Sequence, residues 1–256
     1  MKTTHYKFNT GKIKNNSSFR AVQISDLHKK CFGPENRKLS EAVTSLKPDA
    51  VFITGDMVSR SVKDISNLKP LLENLSRSCT VYYSLGNHET DMETVNPVLH
   101  AELMECINRY CILLDNRSEY IQNENMKIKV SGLTVYQECY KKDGHYRNLR
   151  TVSDDDVRSL LKTESETECI NILLAHNPMF FSSYAEYGSE IILSGHVHGG
   201  CIRLPLIGGV LSPERKFFPK YCSGEYKMKN SSMIVSCGLG KFRMFNPPEI
   251  TVIELS

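Results

Sequence analysis

The 256-residue chain is 40 % hydrophobic and 24 % charged, with a formal net charge of only +3. So small a charge gives no general attraction to polyanions, and the absence of tryptophan removes the best stacking platform for single-stranded nucleic acid. Nine cysteines, odd in number and without a C-x-x-C pair, exclude a disulfide framework or a thiolate zinc site and predict free thiols in a reducing, cytoplasmic compartment.

The start, MKTTHYKFNTGKIKNN, is polar and lacks the apolar core of a signal peptide, and no run reaches transmembrane length. A strand over Phe19–Ser25 is followed by a helix near Glu35–Leu46, with Leu39, Val43 and Leu46 on one face and Pro48 closing it. Strand Ala50–Thr54 leads to Asp56. The next helix carries Leu68, Leu71, Leu72 and Leu75 on its apolar side and starts close to Pro70. Strand Thr80–Leu85 delivers Asn87 and His88, and a third helix runs from an Asn96 cap and Pro97 to about Tyr110. Tyr120–Gln122 and Lys127–Val130 flank a turn and read as a hairpin. Ser153 and Asp156 form a capping box for a helix to about Lys162. Two further strands precede His176 and His196, and Met233–Ser236 and Glu249–Ile253 add two more. No linker or repeat divides the chain, so one domain over 1–256 is expected, an α/β sandwich of paired sheets covered by helices.

Five blocks repeat one grammar: AVQIS-Asp26-Leu27-His28, AVFITG-Asp56, VYYSLG-Asn87-His88, INILLA-His176 and IILSG-His196-Val197-His198. In each, an apolar run ends in a metal-ligating side chain, and the carboxyl ends of strands are where open α/β sheets build their sites. Oxygen ligands mixed with imidazoles suit Mn, Fe or Zn. Seven such ligands are too many for one ion and suit two. Asp26 and His28 alternate around Leu27, so an extended backbone aims both at one ion. Asp56 has the charge and the two oxygens to bridge a pair, and Asn87 offers a neutral amide oxygen. His176 and one histidine of the GHVH pair complete one site, the other histidine its neighbour. Two ions about 3.5–4 Å apart clamp phosphoryl oxygens while an activated water attacks in line. His88, on an extended chain, points away from Asn87 and is placed to protonate a leaving group.

The order D-x-H, G-D, G-N-H-E, H, G-H-x-H resembles the calcineurin-like metallophosphoesterase superfamily, from about residue 20 to the end of the chain. That resemblance implies a double β-sandwich of two mixed sheets flanked by helices in four layers. It implies one metal held by Asp26, His28, Asp56 and His198, a second by Asp56, Asn87, His176 and His196, and His88 as the catalytic histidine. Glu89 stands where many members have Asp. The tail, with HGGCIRLPLIGGVLSP, YCSGEY and FRMFNPPEITVIEL, is similar to the bacterial phosphodiesterase branch that includes UDP-diacylglucosamine pyrophosphohydrolases. Many of its members have Gln where Cys201 stands.

Cys201 and Arg203, directly after the GHVHGG block, are candidate substrate-binding residues. Between 201 and 229 six basic side chains (Arg203, Arg215, Lys216, Lys220, Lys227 and Lys229) face two acids, beside an apolar run from Leu204 to Leu211 and the pair Phe217–Phe218. A basic and apolar rim suits an amphiphilic, lipid-linked phosphate and peripheral contact with a membrane surface. YKKDGHYRNLR, with His145, is a further basic loop. The expected function is two-metal hydrolysis of a phosphoester or diphosphate in a small or lipid-linked substrate. The alternatives are a nuclease of the same fold, disfavoured by composition, and a non-catalytic module, disfavoured because no ligand position is substituted.

Overall fold

The computed structural model describes residues 1–141, 149–200, 202–204, 208–211, 219–240 and 246–256. Cys201, His145, Arg215, Lys216, Phe217 and Phe218 lie outside the described residues, as does the side chain of Arg203.

In chain order the strands are β1 (Lys2–Phe8), β2 (Phe19–Ile24), β3 (Ala50–Thr54), β4 (Thr80–Ser84), β5 (Ile112–Leu113), β6 (Arg117–Asn123) and β7 (Met126–Leu133). They continue with β8 (Ile170–Ala175), β9 (Ile191–Ser194), β10 (Ile202–Leu204), β11 (Gly208–Leu211), β12 (Gly224–Met228), β13 (Ser231–Val235) and β14 (Glu249–Leu255). The helices are α1 (Arg37–Ser45), α2 (Leu68–Ser76), α3 (Asn87–Val95), α4 (Pro97–Tyr110), α5 (Asp154–Leu161) and α6 (Phe181–Tyr187).

One six-stranded sheet has the order β1-β14-β2-β3-β4-β5, and the other β12-β13-β9-β8-β7-β6. β2, β3, β4 and β5 run parallel, as do β7, β8, β9 and β13, while β14 and β2, β6 and β7, and β12 and β13 pair antiparallel. β10 and β11 form a separate antiparallel ribbon.

The central parallel strands are buried on both faces, and that is why they read as unbroken apolar runs. Their alternating side chains feed different layers. Ala21, Phe52 and Tyr82 pack against Val130, Ile172 and Leu193 between the sheets. Val22, Ile53 and Tyr83 pack outward on the leucines of α2 and on Leu103 and Ile107 of α4. Leu173, Ile192 and Met233 pack outward on Val157 and Leu161 of α5 and on Tyr184 of α6. The result is four layers, helix, sheet, sheet, helix, as the motif order implied.

Local chemistry explains the helix starts. Asn96 accepts from the Leu99 amide ahead of Pro97, and Ser153 and Asp156 form their capping box. The expected Glu35–Leu46 helix begins two residues later, because a 3-10 turn over Pro34–Asn36 ends with Asn36 at φ +55°. Lys2–Phe8, read as a merely polar lead, is an edge strand whose Thr4, Tyr6 and Phe8 alternate inward. The hairpin strands are longer than expected, since their exposed polar ends hide the pattern.

Candidate metal centre

β2, β3 and β4 from one sheet, and β8 and β9 from the other, all end at the same edge of the sandwich. Buried side chains lock the sheets just beneath that edge: Gln23 Nε2 donates to Thr54 Oγ1 (2.9 Å) and to the Ser194 carbonyl (3.0 Å), and Ser84 Oγ donates to the Leu174 carbonyl (3.1 Å). The residues after these strands therefore meet at fixed positions.

Six of the seven expected ligands and His88 fall into one cluster, and Asn87 lines the same cleft as Asp56, His88, His196 and His198. Three overlapping groups (Asp26, His28 and His198; His28, Asp56 and His88; Asp56, His176 and His196) each bring their ligand atoms within 4.8 Å of one another. His28 Nε2 lies 3.1 Å from His198 Nε2, which lies 3.4 Å from Asp26 Oδ1. Asp56 Oδ2 is 3.1 Å from His176 Nε2, 3.9 Å from His28 Nε2 and 4.0 Å from His88 Nε2. Asp56 thus stands between the groups.

The backbone geometry differs from the expected extended strand ends. Asp26, His28, Asp56, His196 and His198 all have φ between +53° and +71°. Left-handed backbone at five non-glycine residues costs on the order of 1 kcal/mol or more each and persists only where the surroundings impose it. Here the zipper Asp26 N–H to Gly55 O, His28 N–H to Asp56 O and Gly195 N–H to His176 O imposes it. Asn87 and His88 are likewise not extended. They open α3, whose Gly86 cap aims the two side chains from successive positions of a helical turn. That helix escapes a periodicity reading because its first turn faces the site, leaving Met92 as its one buried apolar residue.

Gly55 and Gly86 permit this crowding. Gly55 has φ +84°, and a Cβ there would fall 2.5 Å from Gly86 Cα; a Cβ on Gly86 would fall 2.5 Å from the Asp56 nitrogen.

Hydrogen bonds orient each group. His176 Nδ1 is 2.7 Å from the Thr54 carbonyl, an acceptor that assigns the proton to Nδ1 and turns Nε2 toward Asp56. The His196 amide donates to Asp26, and the His88 amide to Asp56 Oδ1 (2.8 Å), leaving Oδ2 facing the imidazoles. Tyr140 packs its ring edge-on to His196 at 5.0 Å.

Electrostatics follow from burial and pairing. Burial alone would raise both aspartates, but His198 and His176 hold Asp26 below the usual range, and His176, His88 and His28 hold Asp56 well below it. Burial would discharge His176, yet Asp56 and Asp26 keep it protonated up to about 10. Burial carries His88 the other way, down to about 4, against the pull of Asp56.

Composition alone did not mark several supporting residues. The Arg60 amide donates to His88 Nδ1 (3.0 Å), its guanidinium lies along the same ring, and it is ion-paired with Asp91. Its only trace in the sequence is its position four residues after Asp56. Glu89, fully buried, does not touch the His88 ring; it accepts instead from the Asp56, Met57 and Gly86 amides and from the Tyr83 hydroxyl. Burial and then Asp56 raise its pKa to about 7.

The donor set fits divalent metal ions. Asn87 Oδ1 is buried with no hydrogen-bond partner, and two full carboxylates are buried among imidazoles. Such groups are costly to desolvate unless cations hold them.

Comparison with known proteins agrees with this chemistry. The calcineurin-like phosphoesterase family profile matches residues 19–200. The chain is 27 % identical to the metallophosphoesterase YkuE of Bacillus subtilis, over 93 % of this chain and 79 % of that one. It is 25 % identical to the UDP-2,3-diacylglucosamine pyrophosphatase LpxG of Chlamydia muridarum, over 92 % and 83 %. It spans only 49 % and 59 % of two further curated relatives. The NAD nucleotidase NadN of Haemophilus influenzae shares the fold, with a TM-score of 0.54 and 14 % identity over 87 % of this chain and 45 % of that one. With the profile spanning well over half of its length, this chain belongs to the calcineurin-like phosphoesterase family and is a metal-dependent phosphohydrolase.

Proposed function

We propose that the chain hydrolyses phosphodiester or diphosphate bonds at a two-metal centre, in a small or lipid-linked substrate. One ion is held by Asp26, His28, Asp56 and His198, the other by Asp56, Asn87, His176 and His196. The observation that carries this reading is the placement of Asp56: Oδ1 is fixed by the His88 amide, while Oδ2 faces His176 on one side and His28 on the other. The oxygen and imidazole donors suit Mn, with Fe or Zn as alternatives. When bound, such a pair polarises phosphoryl oxygens and lowers the pKa of water.

The chain's own residues do the rest. The Arg60 amide donates to His88 Nδ1 and the Arg60 guanidinium reaches Nε2 at 3.2 Å, so the ring is held between Arg60 and Asp56. An arriving phosphoryl anion raises the pKa of that ring, as Asp56 already does, and prepares it to protonate the leaving oxygen. Arg60, ion-paired with Asp91, lies beside His88 and adds positive charge facing the phosphoryl group.

A lipid-linked diphosphate is the substrate class favoured by the likeness to LpxG, which is named for one. Among the described residues no helix is long and apolar enough to cross a membrane. Contact with the lipid surface is assigned to the basic and apolar stretch 201–229. Liposome co-sedimentation of the intact chain should exceed that of a Phe217→Ser/Phe218→Ser variant, and equal, negligible binding by both would remove that contact.

The central test is metal content by mass spectrometry after manganese reconstitution, with turnover of bis(p-nitrophenyl) phosphate. Two equivalents and hydrolysis are expected. One equivalent would reject the paired centre, and inactivity of the fully loaded protein would reject the hydrolase.

A further inference from the structure

A second cavity, of about 370 Å³, opens beside the cluster between the loop after β2 and the loop after β3. It is within the size range of small-ligand sites. His28 is part of its wall, and the His28 ring lies 4.7 Å from that of His88, which lines the neighbouring cleft over Asp56 and Asn87. Because the two rings adjoin, this space is the cavity that lies next to His88 on the His28 side.

The lining is specific. The floor is apolar and buried, made by Leu27, Met57, Val58, Ile65 and Leu68. The rim carries Lys29, Lys30 and Lys63 against a single acid, Asp64, whose carboxylate is engaged by the amide and hydroxyl of Ser66. The left-handed turn at His28 and the Lys30 N–H to Leu27 O bond fold the two loop lysines back beside the site, and the Lys30 ammonium rests 4.8 Å above the Phe32 ring. Three lysines lining a cavity with an apolar floor match a carbon skeleton that bears a phosphate.

We infer that this cavity is the leaving-group subsite and that its lysines favour leaving groups that are themselves phosphate monoesters. The inference deepens the hydrolase reading and, for turnover, rests on it. Hydrolysis of a substrate with such a leaving group breaks one bridging P–O bond. The bridging oxygen departs with the phosphate monoester, and the hydroxyl of water goes to the attacked phosphorus.

Adenosine 5′-monophosphate mimics the departing group, and adenosine is its uncharged control. In calorimetry on the EDTA-treated protein, the monophosphate should bind about tenfold tighter than adenosine, the scale of three rim charges acting together. Lys29→Gln/Lys30→Gln/Lys63→Gln should bring the two ligands within about threefold, and the matching triple arginine variant should restore the difference. Equal binding of both ligands by the wild type, or a preference that survives in the glutamine variant, would overturn the subsite. With manganese, the kcat/KM ratio of diadenosine diphosphate to bis(p-nitrophenyl) phosphate should fall about tenfold in the glutamine variant. An unchanged ratio would overturn the preference for such leaving groups. A wild type that hydrolyses neither substrate would reject the hydrolase reading, while the calorimetry would still decide the anion subsite.

Discussion

Glu89 and Asp56 are buried carboxylates joined through the backbone: Glu89 Oε2 accepts the Asp56 amide at 2.8 Å and the Gly86 amide at 3.0 Å. One side chain thereby ties the turn that presents Asp56 to the turn that presents Asn87 and His88. Its other oxygen takes the Met57 amide and the Tyr83 hydroxyl, so every partner is a donor. Glu89→Gln places an NH₂ against at least one of these donors. Melting should fall by an amount equivalent to about 1–3 kcal/mol. Manganese affinity should fall about 10–100-fold, the scale for lost support behind a ligand. Unaltered metal affinity in a folded variant would deny Glu89 its positioning role.

Asp56→Asn removes the charge between the two groups of imidazoles while keeping the shape. Metal content should drop below two equivalents, and kcat should fall at least about 10²–10³-fold, as when a preorganised electrostatic group is lost. Mass spectrometry and steady-state kinetics on the same preparation check both. Near-normal turnover would reject the bridging assignment.

For His88→Ala the expected signature is selective. Metal content should hold, and substrates with alkoxide leaving groups should slow about 10²–10⁴-fold. Nitrophenyl esters, whose leaving group needs little protonation, should slow far less. Arg60→Ala should move in the same direction but less far, because it removes the guanidinium from the His88 ring and from Asp91 while the backbone amide still holds Nδ1. Equal losses on both substrate types would argue against proton donation.

The His176–Asp56 pair sets a pH dependence. In metal-free protein His176 is held up to about 10, from an ordinary value of 6.5, so its proton stabilises the fold fully below pH 6.5. That contribution is lost as pH rises through about 10. Asp56 shifts the other way, so its share is present above 3.8 and is lost as pH falls through its depressed folded value. A metal at His176 Nε2 must displace the proton, so manganese affinity should rise about tenfold per pH unit between 6.5 and 9. Calorimetry in buffers of different ionisation enthalpy reads the released proton. A flat affinity over that range would remove His176 from the ligand set.

Much of this architecture is legible in the chain, because apolar runs such as Ala50–Thr54 and Ile170–Ala175 have no use except as strands buried on both faces, and the polar groups after them must emerge at one edge. The capping residues Asn96 and Ser153 are equally local, since their hydrogen bonds close within three residues. Other features depend on chain segments far apart in sequence. The edge strand Lys2–Phe8 exists because β14 lies beside it. The left-handed backbone at Asp26, His28 and Asp56 is imposed by bonds between separate turns, and no propensity of Asp or His specifies it. Arg60 and Glu89 matter through what they touch, and residue type alone does not reveal a neighbour. Local chemistry thus settles which groups the strands deliver; only the packing of two sheets, with distances fixed across their shared edge, decides how those groups face one another.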